Sequence, residues 1–192
     1  MSETMAQGLS PDDVASEEAA QPAQERFSAE LVVRGQSEAR RLVEEIAPTH
    51  ILSILTPGRA NLGPKGFPEE RHLVVSFADV ESAKDTDAPN EDMVRRCLAF
   101  ARAIPAEGRL LVHGLQGVRR APAMGLGLLA DRLSPAEAAQ ALSPACSQPA
   151  DPQSLVIALF DKVLGLDGQL KAAAAARFVP GRNTLRRRIA GE

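Results

Sequence analysis

The sequence predicts an α/β domain of three layers. Its centre is a short, mainly parallel sheet of about four to five strands flanked by helices, and its C-terminal third is helical. Three observations predict this. Short apolar runs of strand length alternate with helix-period stretches between residues 31 and 113. The run His50-Ile51-Leu52-Ser53-Ile54-Leu55 is apolar almost throughout, as strands covered on both faces are. Beyond Arg120 nearly the whole chain keeps the helical period. Strands separated by helices cross over in parallel, and the crossovers lay helices on the sheet.

In chain order, residues 1–26 carry Glu3, Asp12, Asp13, Glu17, Glu18 and Glu25 against Arg26, with almost no large apolar side chain. Nothing there offsets the entropy of ordering a chain, so an acidic, disordered tail is expected. Leu31-Val32-Val33 is the first strand, ended by Gly35. A helix over 37–47 follows, with Ala39, Leu42, Val43 and Ile46 on one face and Pro48 as its stop. The second strand is the 50–55 run. Residues 56–68 hold Pro57, Gly58, Gly63, Pro64, Gly66 and Pro68, and form a loop.

The third strand covers 72–77, and a polar loop over 79–89 leads to a helix beginning at Asn90 or Asp92. That helix buries Met93, Val94, Cys97, Leu98, Ala101 and Ile104, and Pro105 with Gly108 ends it. Residues 109–113 are the fourth strand. Helices over 121–133, 135–142, 154–164 and 169–177 complete a domain spanning 27–178. Residues 179–192 form a basic tail with Arg182, Arg186, Arg187 and Arg188, read as a solvated end.

Composition narrows the function. With 192 residues, a net charge of −3 and 24% charged side chains, the chain suits neither nucleic acid nor a membrane surface. Aromatics make up 3%, without Trp or Tyr, so base-stacking platforms are scarce. No apolar run approaches the roughly 20 residues that span a bilayer. Two cysteines cannot build a disulfide framework, and the N-terminus lacks a cationic-then-apolar segment; a reducing, cytoplasmic compartment is expected. His50, His72 and His113 are dispersed and no Cys cluster accompanies them, so neither a metal site nor a cofactor is expected. A hydrolase of the Ser/His/Asp type would need a Gly-x-Ser-x-Gly elbow, which is missing.

The informative segment is Leu110-Leu111-Val112-His113-Gly114-Leu115-Gln116-Gly117-Val118-Arg119-Arg120-Ala121-Pro122. A buried strand runs into a short glycine loop and then directly into a helix. Consecutive amides of residues 115–120 and a helix N-terminus then face one point, which favours an anion. Arg120 adds a planar fork suited to two phosphate oxygens. Arg119 doubles the local charge and could equally pair with a carboxylate. Pro122 sits in the first helical turn, where a missing N–H costs nothing. By physics alone this fits an anion cradle or a plain tight turn.

Residues 113–121 resemble the signature of the cysteine-dependent protein tyrosine and dual-specificity phosphatases, His-Cys, five residues, Arg, then Ser or Thr. They are especially similar to the predicted tyrosine-phosphatase-like proteins of bacteria. His113, Gly117 and Arg120 stand at the signature's spacing. The resemblance covers residues 29–175 and includes Phe77-Ala78-Asp79-Val80, which looks like the segment carrying the family's general-acid aspartate. It implies a phosphatase-like fold, a phosphate site at residues 113–120, and for His113 a role in loop geometry.

The departures from the signature matter more. The nucleophile's position is Gly114, which has no atom to attack phosphorus, and the hydroxyl position is Ala121. Without a nucleophile, Asp79 has no leaving group to protonate and reads as a loop aspartate. Cys97 lies on a helix's apolar stripe and Cys146 in a Pro/Ser-rich connection, so both read as structural. No catalytic residue is expected. The resemblance therefore implies a pseudophosphatase that binds phosphate, or a phosphorylated or anionic partner, without turnover. The alternatives are an interaction module with a vestigial loop, or residual hydrolysis by another nucleophile such as activated water. Gly125-Leu126-Gly127 reads as close helix packing, not as a phosphate loop.

Overall fold

The computed structural model describes residues 26–178. The acidic tail over 1–25 and the basic tail over 179–192 lie outside the described residues. In chain order the elements are β1 (Glu30–Gly35), α1 (Gln36–Arg41), α2 (Val43–Ile46), β2 (His50–Leu55) and β3 (His72–Ser76). They continue as α3 (Glu91–Arg102), β4 (Arg109–Gly114), α4 (Arg120–Leu129), α5 (Pro135–Ala145), α6 (Ser154–Leu164) and α7 (Gln169–Arg177). A single 3₁₀ turn, Glu69–Arg71, precedes β3.

The four strands form one sheet in the order β1-β4-β2-β3, and every pairing is parallel. Val33 lies beside Val112, Ile51 beside Leu111, and Leu52 beside Leu73. Because successive side chains leave opposite faces, β1, β2 and β4 each feed two cores. Leu31, Val33, Leu52, Ile54, Leu110 and Val112 join the larger one, beneath α3 to α7. Val32, Ile51 and Leu111 join the smaller, with Ala39 of α1 and Ile46 of α2. These are the three layers the alternating pattern predicts, with four strands in the middle one.

The helix expected over 37–47 is two short helices. It begins at Gln36, breaks at Leu42 (φ −103°, ψ 12°), and ends with Ala47 in the left-handed region at φ 46°. Ala47 precedes Pro48, whose ring disfavours a helical residue before it. The helix expected to reach 133 stops at Leu129, because Asp131 and Arg132 donate three residues back, to Leu128 O and Leu129 O. The Asp131 carboxylate holds that turn by accepting from Phe27 N–H at 2.8 Å and from Arg102 at 2.6 and 3.0 Å. The helix expected over 135–142 runs on to Ala145, carrying Pro144 in its last turn, and Cys146 then bridges Val33 beyond the β1 edge. A Cβ on Gly127 would fall 2.1 Å from the Phe160 ring, so α4 and α6 touch there as the sequence predicts for this glycine pair. Among the described residues no helix is long and apolar enough to cross a membrane.

Candidate anion-binding site

β4 is an inner strand, paired with β1 and β2, and it ends at Gly114 at the C-terminal edge of the sheet. Residues 115–119 turn there, and α4 begins at Arg120. The carbonyls of this turn face outward. Leu115 O accepts from Gln36 N–H, Val118 O from Asp151 N–H, and Arg119 O from Ala123 N–H. Gln116 O lies against Gly35, where an added Cβ would approach it to 3.0 Å. The amides of Leu115, Gln116, Gly117, Val118 and Arg119 donate to no protein acceptor among the described residues. Five consecutive amides without a protein acceptor, at the start of a ten-residue helix, make this turn a candidate anion site.

Two glycines shape the turn. Gly117 has φ +72°, and a Cβ there would meet Gly35 N at 2.4 Å, so the loop and the end of β1 press backbone to backbone. Only glycine satisfies both demands. Gly114 differs. A Cβ at this position would find Ala121 Cβ at 3.6 Å and Ile54 Cβ at 3.8 Å, which is ordinary contact. The backbone at 114 tolerates a side chain that the sequence does not supply.

Arg120 is buried, and three of its donors serve the scaffold. Nη1–H groups donate to Leu55 O at 2.9 Å and to Phe77 O at 2.7 Å, and Nη2 donates to Thr56 Oγ1 at 2.7 Å. The guanidinium also stands over the Phe77 ring, 5.8 Å from its centre. It thereby ties α4 to the ends of β2 and β3. Burial pushes its pKa down, and nearby Asp79 opposes the shift. Nε–H and one Nη2 hydrogen of its five donors have no protein acceptor among the described residues.

Arg119 contributes its amide to the turn, while its side chain is taken by carboxylates. Nε donates to Asp79 Oδ1 and Nη1 to Asp151 Oδ2, both at 3.1 Å, and Nη2 donates to Glu81 Oε1. Burial opposes its charge, but Asp79, Asp151 and Glu81 outweigh that and hold its pKa above the usual range. Ser154 Oγ also donates to Glu81, and Gln153 Nε2 donates to Val80 O at 2.7 Å. The segment holding Asp79 is thus latched onto the loop and the start of α6. The remaining pocket, about 310 Å³, is lined by Thr56, Arg59, Asp79, Leu115, Arg120 and Ala121 among others.

Beneath the loop, His113 is fully buried. Its Nε2 lies 2.7 Å from Ser53 Oγ, which lies 2.7 Å from His72 Nε2. The hydroxyl has one proton, so it donates to one ring and accepts from the other. Burial, with His72 nearby, pushes the His113 pKa down to about 4. Both cysteine thiols are pushed up to about 12 by burial, which suits structural sulfur and not a nucleophile.

His113 gives a pH prediction. Its folded pKa lies below its ordinary 6.5, so the unfolded chain binds the proton more readily. The stabilising term is fully present above pH 6.5 and is lost as pH falls towards 4. By about pH 5 the loss is on the order of 2 kcal/mol. Urea unfolding at pH 7 and pH 5 should show it, and His113→Gln should flatten that segment of the profile. An unchanged slope in the variant would refute the assignment.

The sequence pointed to 113–121 and Asp79; of these, Asp79, Gly114, Leu115, Gln116, Gly117, Arg119, Arg120 and Ala121 line one pocket, and His113 and Val118 do not. It missed Thr56, Arg59, Ser53, His72, Glu81 and Asp151. One signal was available for Ser53, a lone hydroxyl inside an otherwise apolar strand.

Neither a protein-family model nor a curated protein sequence matches the chain. Solved structures do. Human DUSP28 superposes with a TM-score of 0.55 at 21% identity, over 75% of this chain and 98% of that one. A mouse dual specificity phosphatase complexed with zinc tungstate gives 0.52 at 20% identity, over 82% and 98%. A human tyrosine phosphatase-like serine/threonine/tyrosine-interacting protein gives 0.52 at 18% identity, over 70% and 91%. The chain has the dual-specificity phosphatase fold.

Proposed function

We propose that this chain, built on the dual-specificity phosphatase fold, binds the phosphate of a phosphorylated partner, or a small oxyanion, without hydrolysing it. The row of five unpaired amides from Leu115 to Arg119 carries the reading. Arg120 and the start of α4 supply positive charge beside them. Catalysis is impaired because position 114 ends at its backbone and Ala121 has no hydroxyl. One protein of this fold is described as complexed with tungstate, a tetrahedral oxyanion like phosphate, and another as phosphatase-like and interacting. Both descriptions suit a binding role.

Titration of the ¹⁵N-labelled chain with phosphate or tungstate should shift the amides of residues 115–120 saturably. In Gly117→Ala the response should weaken at least about tenfold, because the added Cβ meets the β1 backbone and remakes the turn. A wild-type spectrum that ignores both anions would sink the proposal.

A second reading has its own observation. Both guanidiniums are already engaged, Arg120 by Leu55 O, Phe77 O and Thr56 Oγ1, and Arg119 by three carboxylates. That arrangement favours a structural knot left from a phosphate loop, in a domain that works as an interaction module. The same titration separates the two.

A further inference from the structure

At the far end of α4 from the anion loop, a cavity of about 780 Å³ opens between α3, the end of α6 and the α4–α5 connection. Its apolar lining includes Leu98, Leu133 and Leu164. Four arginines, Arg26, Arg95, Arg102 and Arg132, line it against one carboxylate, Asp131. Asp131 is spent, since its side chain is 3% exposed and accepts from Arg102 and from Phe27 N–H. Arg95 has only an exposed pairing with Glu91, one helical turn away. Such a pair is worth little in water. Among the described residues Arg26 has no ion-pair partner. The cavity therefore offers a cationic rim over an apolar floor.

The occupant is indicated by where the described chain begins. Residues 1–25 bear Glu3, Asp12, Asp13, Glu17, Glu18 and Glu25 with no Lys or Arg, and they join the domain at Arg26, itself on the cavity wall. We propose that this acidic segment is the ligand of the cavity. Glu18 and Glu17 stand eight and nine residues before Arg26, a tether of at most about 30 Å, which reaches across the site. Val14 and Leu9 can supply apolar contact to the floor. Because the segment is tethered, its effective concentration is in the millimolar range, so weak screened contacts suffice. The proposal is independent of what the anion loop binds, since the two sites lie at opposite ends of α4.

The test uses the full chain. A nitroxide is attached at Ala15→Cys in a Cys146→Ser background, Cys97 being fully buried, and methyl relaxation is read. The label should broaden the Ala99, Leu133 and Leu164 methyls at least about twofold over a reduced control. The effect should vanish in 0.5 M salt and in Arg26→Glu/Arg95→Glu, whose side chains are on the exterior. Broadening that is absent, or spread evenly over the surface, overturns the proposal. So does broadening that survives Arg26→Glu/Arg95→Glu but disappears when Arg186, Arg187 and Arg188 are replaced by Gln, since the segment would then be pairing with the C-terminal basic run.

Discussion

Gly114→Cys combined with Ala121→Ser is expected to hydrolyse an aryl phosphate that the unaltered chain leaves intact. A side chain at 114 fits, because its Cβ would make only ordinary contacts at 3.6 to 3.8 Å. The new sulfur would sit beside five free amides and the first turn of α4, surroundings that favour a thiolate. Attack of that thiolate on phosphorus forms a phosphocysteine and expels the aryl oxide, and water then cleaves the S–P bond. Asp79 is engaged by Arg119, so the reporter should carry a good leaving group that needs no proton. The single variant should release a burst of aryl oxide close to one per chain and then turn over slowly. With the serine hydroxyl in place the steady rate should rise, to at least about 100-fold over the unaltered protein. Two folded variants that both stay silent would mean that the amides do not hold the phosphate in line with position 114.

Arg120→Ala is expected to be the most damaging single truncation at the site. It removes charge-assisted bonds to Leu55 O, Phe77 O and Thr56 Oγ1 and leaves Phe77 O without a donor, while Leu55 O keeps that of Phe77 N–H. Bonds to a charged donor are worth about 1.5–3 kcal/mol each, and the losses are not additive, so a destabilisation of about 3–5 kcal/mol is expected. Arg120→Lys should recover a minority of it, because one ammonium cannot serve three acceptors on two strands and a loop. Denaturant midpoints at constant slope measure both variants. A loss below about 1 kcal/mol for the alanine variant would show that the guanidinium is not the tie between α4, β2 and β3.

Much of this architecture is legible in local pattern. The 50–55 run has the near-continuous apolarity of an inner strand, and β2 is one. The spacing of His113, Gly117 and Arg120 places a strand end, a glycine loop and a helix start, and each is found there. What stays hidden depends on partners distant in sequence. Arg119 can be read as pairing with a carboxylate, but only the fold shows that its partners are residues 79, 81 and 151. Gly35 reads as the end of a strand, yet its closest neighbour is the loop some eighty residues later. Ser53 stands out locally only as a hydroxyl in an apolar strand, and nothing local to His72 marks it as a partner of that hydroxyl. The helix ends at 129 and 145 are likewise set at a distance, beside the tertiary bonds of Asp131 and the Cys146 bridge.

The strand order has a consequence for synthesis. β1 and β2, the first two strands made, are not neighbours; β4 lies between them and pairs with both. While the nascent chain ends before residue 109, β1 has nothing to pair with, and the N-terminal half holds apolar strands without a finished sheet. Closure must wait for one late segment, and the completed loop arrives with it. A chain arrested upstream of that point should be a client for holding chaperones, and protease resistance should follow only once the helices through α7, which close the larger core, are also made.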